Sequence, residues 1–231
     1  MNETVKQRKP MPPPLRPDQP AQVVTSAVKA IEIAERLAAD FAERVAIRDA
    51  TREWPVRELD LYSQSGVWSL NLPQAFGGPE LFYATLVRVT EIIPAGDNSL
   101  GQIAQSHIGV FAAIRTVSDE SQRKLPFDLE LKSVRFGNAF SEFGFQRAAD
   151  FETKFEDRGD RVVAIGTKFH STGAQPAHLA PIVALDDQGC AWSDIAERDA
   201  HGLSVIDDWS CLGQRTPPSG TVTLDPVGRG L

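Results

Sequence analysis

The hydrophobic period changes once, near Ser133, and that change limits the chain to a helical part followed by a β part. Before it, Val28, Ile31, Ala34, Ala38, Phe41 and Val45 recur at three- and four-residue spacing between charged residues, the pattern of an amphipathic helix. Val56–Gln64 fits a second helix, ended by Gly66, and Phe82–Ile93 a third. A fourth runs to about Val117, with Asp97, Asn98 or Ser99 as its cap. A fifth begins at Asp119 and Glu120 after a Ser118 cap, with Pro126 inside it. After Ser133 the period is two. Val134–Phe140, Val162–Ile165, Pro181–Leu185, Trp192–Ala196, Leu203–Ile206 and Thr221–Leu224 read as short strands. The expected fold is α+β: an all-helical domain over residues 25–131, then an antiparallel β-sandwich or barrel-like domain over 132–231. Residues 1–24 are polar and rich in proline, so they bury too little apolar area to offset their ordering entropy and read as a disordered tail.

Composition narrows function. A formal net charge of -7 gives phosphate-backbone binding no global support, so nucleic acid is not an expected partner. No apolar run reaches the roughly 18 residues of a membrane span. Lys6, Arg8 and Lys9 are followed by no apolar segment, so the start does not read as a secretory signal. Cys190 and Cys211 read as two free thiols of a cytoplasmic protein. No Gly-x-Gly-x-x-Gly fingerprint is present, so a nucleotide cofactor would bind outside a Rossmann fold.

Three runs stand out: Gly137-Asn138-Ala139-Phe140-Ser141-Glu142-Phe143-Gly144, Gly166-Thr167-Lys168-Phe169-His170-Ser171-Thr172-Gly173-Ala174, and Asp207-Asp208-Trp209-Ser210-Cys211-Leu212-Gly213-Gln214-Arg215. Taken singly they are strand ends, turns and a core tryptophan. His107, in Gln105-Ser106-His107-Ile108-Gly109, is by itself a structural helix histidine. In this order, the runs resemble the flavin-contacting segments of the acyl-CoA dehydrogenase superfamily, and most of all its monooxygenase branch, the dibenzothiophene monooxygenase and sulfur-acquisition type. The resemblance covers roughly Ala27 to Val227.

It implies roles. Ser141 meets the flavin pyrimidine edge, Asn138 lies by the reacting face, and Thr172 offers a hydroxyl or backbone N–H to flavin N5. His170 stands where relatives place an aromatic ring against the flavin, and Trp209 walls the site. His107 donates a hydrogen bond near the reacting oxygen, a task suited to imidazole. Glu142 ties down its loop, and Arg215 and Ser219 hold theirs or meet a cofactor phosphate. A turn is expected at Gly166, where relatives have Asn-Gly. The implied cofactor is reduced FMN from a separate flavin reductase, with FAD as the alternative; the implied reaction passes an oxygen atom to a small organosulfur substrate. Two other readings stay open: an FAD acyl-CoA dehydrogenase acting on the CH–CH bond of a thioester, and a non-catalytic fragment associating with a full-length paralogue. The family is homotetrameric through a C-terminal four-helix bundle that follows the third run. That bundle is absent from this sequence, so the expectation is a chain incomplete as an enzyme.

Overall fold

In the computed structural model, the described residues are 11–143 and 150–228; Gly144, residues 1–10 of the proline-rich stretch and residues 229–231 lie outside them. The chain divides into two compact units. A helical unit comprises residues 16–135 and takes back the heptapeptide Cys211–Pro217; a strand unit comprises residues 11–15, 136–210 and 218–228 among those described.

The helical unit contains α1 (Ala27–Ala42), α2 (Val45–Thr51), α3 (Val56–Gln64), α4 (Tyr83–Gly96), α5 (Asn98–Val117) and α6 (Glu120–Glu130). Single 3-10 turns at Val67–Ser69 and Gln74–Phe76 join α3 to α4. The first periodic stretch is two helices, because the turn at Glu43-Arg44 interrupts it before Val45. Asp97 caps α5, accepting from the N–H groups of Ser99 (2.9 Å) and Leu100 (3.3 Å). Asp119, rather than Ser118, caps α6, in a reciprocal box with Gln122. Pro126 sits buried within α6 without ending it. The core gathers Ile33, Leu37 and Phe41 of α1, Leu59 and Tyr62 of α3, Val89 and Ile93 of α4 and Leu100 and Ile103 of α5.

Arg48 is the buried polar centre of this unit. Its guanidinium donates to Glu58 (2.9 Å), Asp97 (2.7 Å) and the Phe41 carbonyl (2.6 Å), so α2 is tied to α3, to the α5 cap and to the last turn of α1.

The strand unit is one six-stranded sheet of order β4-β3-β1-β2-β6-β5. Its strands are β1 (Lys154–Asp157), β2 (Val162–Lys168), β3 (Leu179–Leu185), β4 (Ala191–Glu197), β5 (Leu203–Ile206) and β6 (Thr221–Gly228). Pairing is antiparallel except where β1 meets β3, which are parallel through Lys154 and Leu185. The stretch 134–140 contributes isolated parallel bridges to β3, Phe136 with Leu179 and Ala139 with Ile182, in place of a full strand. The core mixes small and branched residues: Ala139, Ala164, Ala174, Ala180 and Ala196 pack with Ile182, Leu203, Val205, Val222, Leu224 and Val227.

The expected turn at Gly166 is absent. β2 runs straight through to Lys168 and absorbs Gly166 as an irregularity in its register with β6. Gly166 has φ of 153°, and a Cβ there would stand 2.5 Å from the Thr153 hydroxyl and 2.8 Å from its Cα. Only glycine fits a bulge this close to a neighbouring backbone.

Residues 11–24 also depart from the disordered reading. Met11, Ala21 and Val24 are buried. The N–H of Met11 donates to Gln175 (3.1 Å), that of Ala21 to the Leu131 carbonyl and that of Gln22 to the Gln64 carbonyl. Sparse apolar residues on a proline-stiffened chain lose less entropy on docking than the same residues on a flexible one.

Candidate functional site

In the strand unit the first two runs are held side by side. The N–H of Gly137 donates to the Leu179 carbonyl (2.9 Å) and that of Ala139 to Pro181 (2.9 Å), which leaves half-buried Asn138 between two anchored residues. A Cβ on Gly137 would fall 2.8 Å from both the Gly173 carbonyl and the Ala174 Cα, so glycine permits the Asn138 stretch to lie against the Thr172 loop. The exposed Ser141 accepts from the Phe169 N–H through its carbonyl (2.8 Å), joining the first run to the second.

Glu142 is the fastener of this corner. Its carboxylate takes the Lys168 ammonium, the Thr153 hydroxyl (2.6 Å) and the Glu152 N–H (2.6 Å). Burial pushes this carboxyl up, yet the donors from Lys168, Thr153 and Glu152 outweigh it and hold Glu142 below the ordinary carboxylate value. Burial pulls Lys168 down, against the opposing pull of Glu142. The geometry favours the charged pair: Lys168 is wholly enclosed, its ammonium also donates to the Phe140 carbonyl, and it lies 4.6 Å from the Phe151 ring centre.

Beyond Lys168 the chain turns sharply. His170 is exposed with φ of 51°, and the Thr172 N–H closes the turn on the His170 carbonyl (2.8 Å). That N–H is therefore spent within the loop; the hydroxyl donates there only at long range, to the same carbonyl at 3.4 Å, and is what Thr172 has to offer. The Ser219 hydroxyl donates to it (3.1 Å). His170 also belongs to a row of rings. Phe169 and Phe143 have centroids 4.3 Å apart, Phe143 meets His170 edge-on at 4.9 Å, and His170 meets Trp209 edge-on at 5.8 Å. Phe143 is 56% exposed and Trp209 half-buried, so the row presents apolar ring surface outward. Sequence reasoning left out Phe143; its position in the first run gave the only signal. The row and the Thr172–Ser219 hydroxyl pair are what a planar heteroaromatic ligand with polar edges requires: π surface to stack on and a hydroxyl to orient it. These residues suit a flavin ring.

The strand unit thus brings together Asn138, Ser141, His170, Thr172 and Trp209 on neighbouring loops. Arg215 and Thr216 hold their loop within the helical unit, Arg215 through its N–H to Asp49 (2.9 Å) and Thr216 through its hydroxyl to Ser99 (2.9 Å).

His107 lies in the helical unit, on α5, and is 1% exposed. Its ring is held between Trp68 and Phe111, each with its centroid at 4.6 Å. Its Nε2 is 3.6 Å from a carboxylate oxygen of Glu130, the last residue of α6. Burial raises the Glu130 carboxyl well above the ordinary carboxylate value.

Among the described residues, no helix is long and apolar enough to cross a membrane, no cluster of three His, Cys, Asp or Glu residues could hold a metal, and both cysteines are free and exposed.

Residues 29–126 match the family model "Acyl-CoA dehydrogenase, N-terminal domain". The chain is 28% identical over 210 residues to a probable FMNH2-dependent monooxygenase, SfnC of Pseudomonas putida, an alignment covering 90% of this chain and 52% of the relative. It is 28% identical over 206 residues to the dibenzothiophene monooxygenase of Rhodococcus erythropolis, covering 85% of this chain and 49% of that protein. The crystal structure of FMN-bound TdsC from Paenibacillus sp. A11-2 superposes with a TM-score of 0.81 at 25% identity, over 87% of this chain and 52% of that one. The chain spans about half the length of the curated relatives it matches.

Proposed function

We propose that this chain is a member of the acyl-CoA dehydrogenase superfamily, on the side of its flavin-dependent monooxygenase branch, and is the flavin-holding portion of a reduced-FMN-dependent monooxygenase of organosulfur metabolism. The observation that carries this reading is the outward-facing row Phe143–His170–Trp209 beside the hydroxyl pair of Thr172 and Ser219. The similarity to SfnC and to FMN-bound TdsC supports FMN over FAD and, with it, a separate flavin reductase as partner.

In this reading, FMN supplies the redox chemistry and the activation of oxygen. The protein's part is to bind, orient and keep dry. Trp209, His170 and Phe143 offer ring surface to the isoalloxazine. The Thr172 hydroxyl, fixed by Ser219, donates at its polar edge, as does Ser141. Asn138, pinned by the bonds of Gly137 and Ala139 to β3, presents an amide to the reacting face. Glu142 and Lys168 take no chemical part; they keep the two loops in register. His107 is the proposed proton donor, its ring clamped by Trp68 and Phe111.

The test is an anaerobic titration of the chain with reduced FMN, followed by oxygen and an organosulfur substrate, with and without the Trp209→Ala and Thr172→Ala substitutions. Saturable binding that weakens in both variants supports the assignment. Binding of FMN that neither variant alters would defeat it. Reduction of an electron acceptor driven by an acyl-CoA, with no response to reduced FMN, would favour the dehydrogenase alternative.

A further inference from the structure

Glu130 has two neighbours of different character. On one side its carboxylate lies 3.6 Å from Nε2 of His107, with the two side chains 4% and 1% exposed. On the other it lines a cleft in the helical unit together with Trp68, Asn71, Phe111, Arg115 and Phe127. Of the rings in that lining, Phe111 and Phe127 neither give nor take a proton, while Tyr83 carries a phenol. Arg115 is the other charged residue lining the cleft, and its guanidinium donates to the Asn71 carbonyl (2.8 Å) and lies 3.9 Å from Glu80. Glu130 is a carboxyl that lies beside the imidazole and also lines the cleft, so it can carry a proton between them. The gap to His107 is slightly longer than a hydrogen bond, so a small rotation of the carboxyl closes it.

We propose that Glu130 is a proton relay for His107, linking its Nε2 to water entering the cleft. The step conserves atoms and charge. The O–H bond of the Glu130 carboxyl breaks as an N–H bond forms at His107 Nε2, leaving carboxylate beside imidazolium. The carboxylate then takes a proton from hydronium in the cleft, and one proton has passed from solvent to imidazole; the same steps reversed return it. Burial supports the donor state, since it raises the Glu130 carboxyl well above the ordinary carboxylate value. What His107 does with that proton rests on the flavin reading above, whereas the relay itself does not.

The experiment is solvent exchange of the His107 imidazole proton in the chain labelled with 15N-histidine. The chain has four histidines, and His107→Gln assigns the signal. Glu130→Gln keeps the size and hydrogen bonding of the side chain but has no acidic proton. It should slow exchange at His107 by at least tenfold and leave exchange of the neighbouring Trp68 indole proton unchanged. Glu130→Asp, a shorter acid, should fall between. Unchanged exchange at His107 in Glu130→Gln, or equal slowing at Trp68, overturns the relay. Should Glu130→Gln not fold, the wild-type chain decides: the relay requires His107 to exchange far faster than the Trp68 indole, and equal rates refute it. FMN affinity measured on the same samples separates a failure of the relay from a failure of the flavin assignment.

Discussion

Replacing Arg48 with methionine keeps much of the side chain's volume and removes its charge, leaving Glu58 and Asp97 enclosed without their cation. Arg48 and Asp97 are 1% exposed in their side chains and Glu58 is 5% exposed. Three hydrogen bonds of 2.9 Å or less disappear with the guanidinium. Removing one partner of such a buried network costs about 3–5 kcal/mol, because Asp97 stays behind enclosed with no cation and Glu58 keeps only the exposed Arg57 guanidinium at 3.6 Å. For a chain of this length each kcal/mol lowers the melting temperature by roughly 2–4 °C, so the expected drop is about 6–20 °C. The assay is urea unfolding followed by far-UV circular dichroism, which reports mainly the helical unit. The cause is isolated by adding Glu58→Gln and Asp97→Asn to the variant, which removes the stranded charge and leaves the packing alike; about 1 kcal/mol or more should return. A loss below about 1 kcal/mol in the single variant, or a triple variant no more stable than the single one, would refute the argument that unpaired charge sets the cost.

Three further outcomes follow from the strand unit. Gly166→Ala should destabilise the chain by about 2 kcal/mol or more, since its Cβ meets Thr153 at a positive φ; denaturant unfolding within about 0.5 kcal/mol of wild type would contradict that. Glu142 is held below its ordinary value of 4.5, so the stability it contributes is present above that pH and is lost as pH falls through its folded value. Glu142→Gln should accordingly flatten the acid limb of the stability profile, and an unaltered limb would exclude Glu142 as its source. Trp209→Ala should weaken FMN binding about tenfold, or about 1.4 kcal/mol, in a fluorescence titration, and Phe143→Ala should do the same; equal affinities in both variants would remove the ring row from the site.

Much of this was readable from residues. α3 spans the same Val56–Gln64 that its periodicity marks, β5 is the predicted Leu203–Ile206, and Asp97 was among the candidate caps of α5. The misses have definite causes. β1, Lys-Phe-Glu-Asp, has a single apolar residue; its pairing with β2 and β3 supplies what its own sequence lacks. Gly166 reads as a turn because glycine signals a break locally, whereas here it answers to Thr153, thirteen positions earlier in the chain. The three runs pointed to flavin only through their resemblance. The contacts that assemble them, Ser219 with Thr172 and Phe143 with His170, join residues 47 and 27 positions apart, and no local pattern encodes such meetings.

The heptapeptide Cys211–Pro217, which belongs to the helical unit, sets a schedule for synthesis. A ribosome adding about 5–20 residues per second needs roughly 4–16 s to travel from residue 135 to residue 217. Throughout that interval the nascent helices are missing a piece: Asp49 lacks the Arg215 N–H and Ser99 lacks the Thr216 hydroxyl. The helical unit therefore finishes late although it is made first. A gene cut between the two periodicities would yield helices without their closing strap, and excising this unit as an independent module would require carrying residues 211–217 along with it.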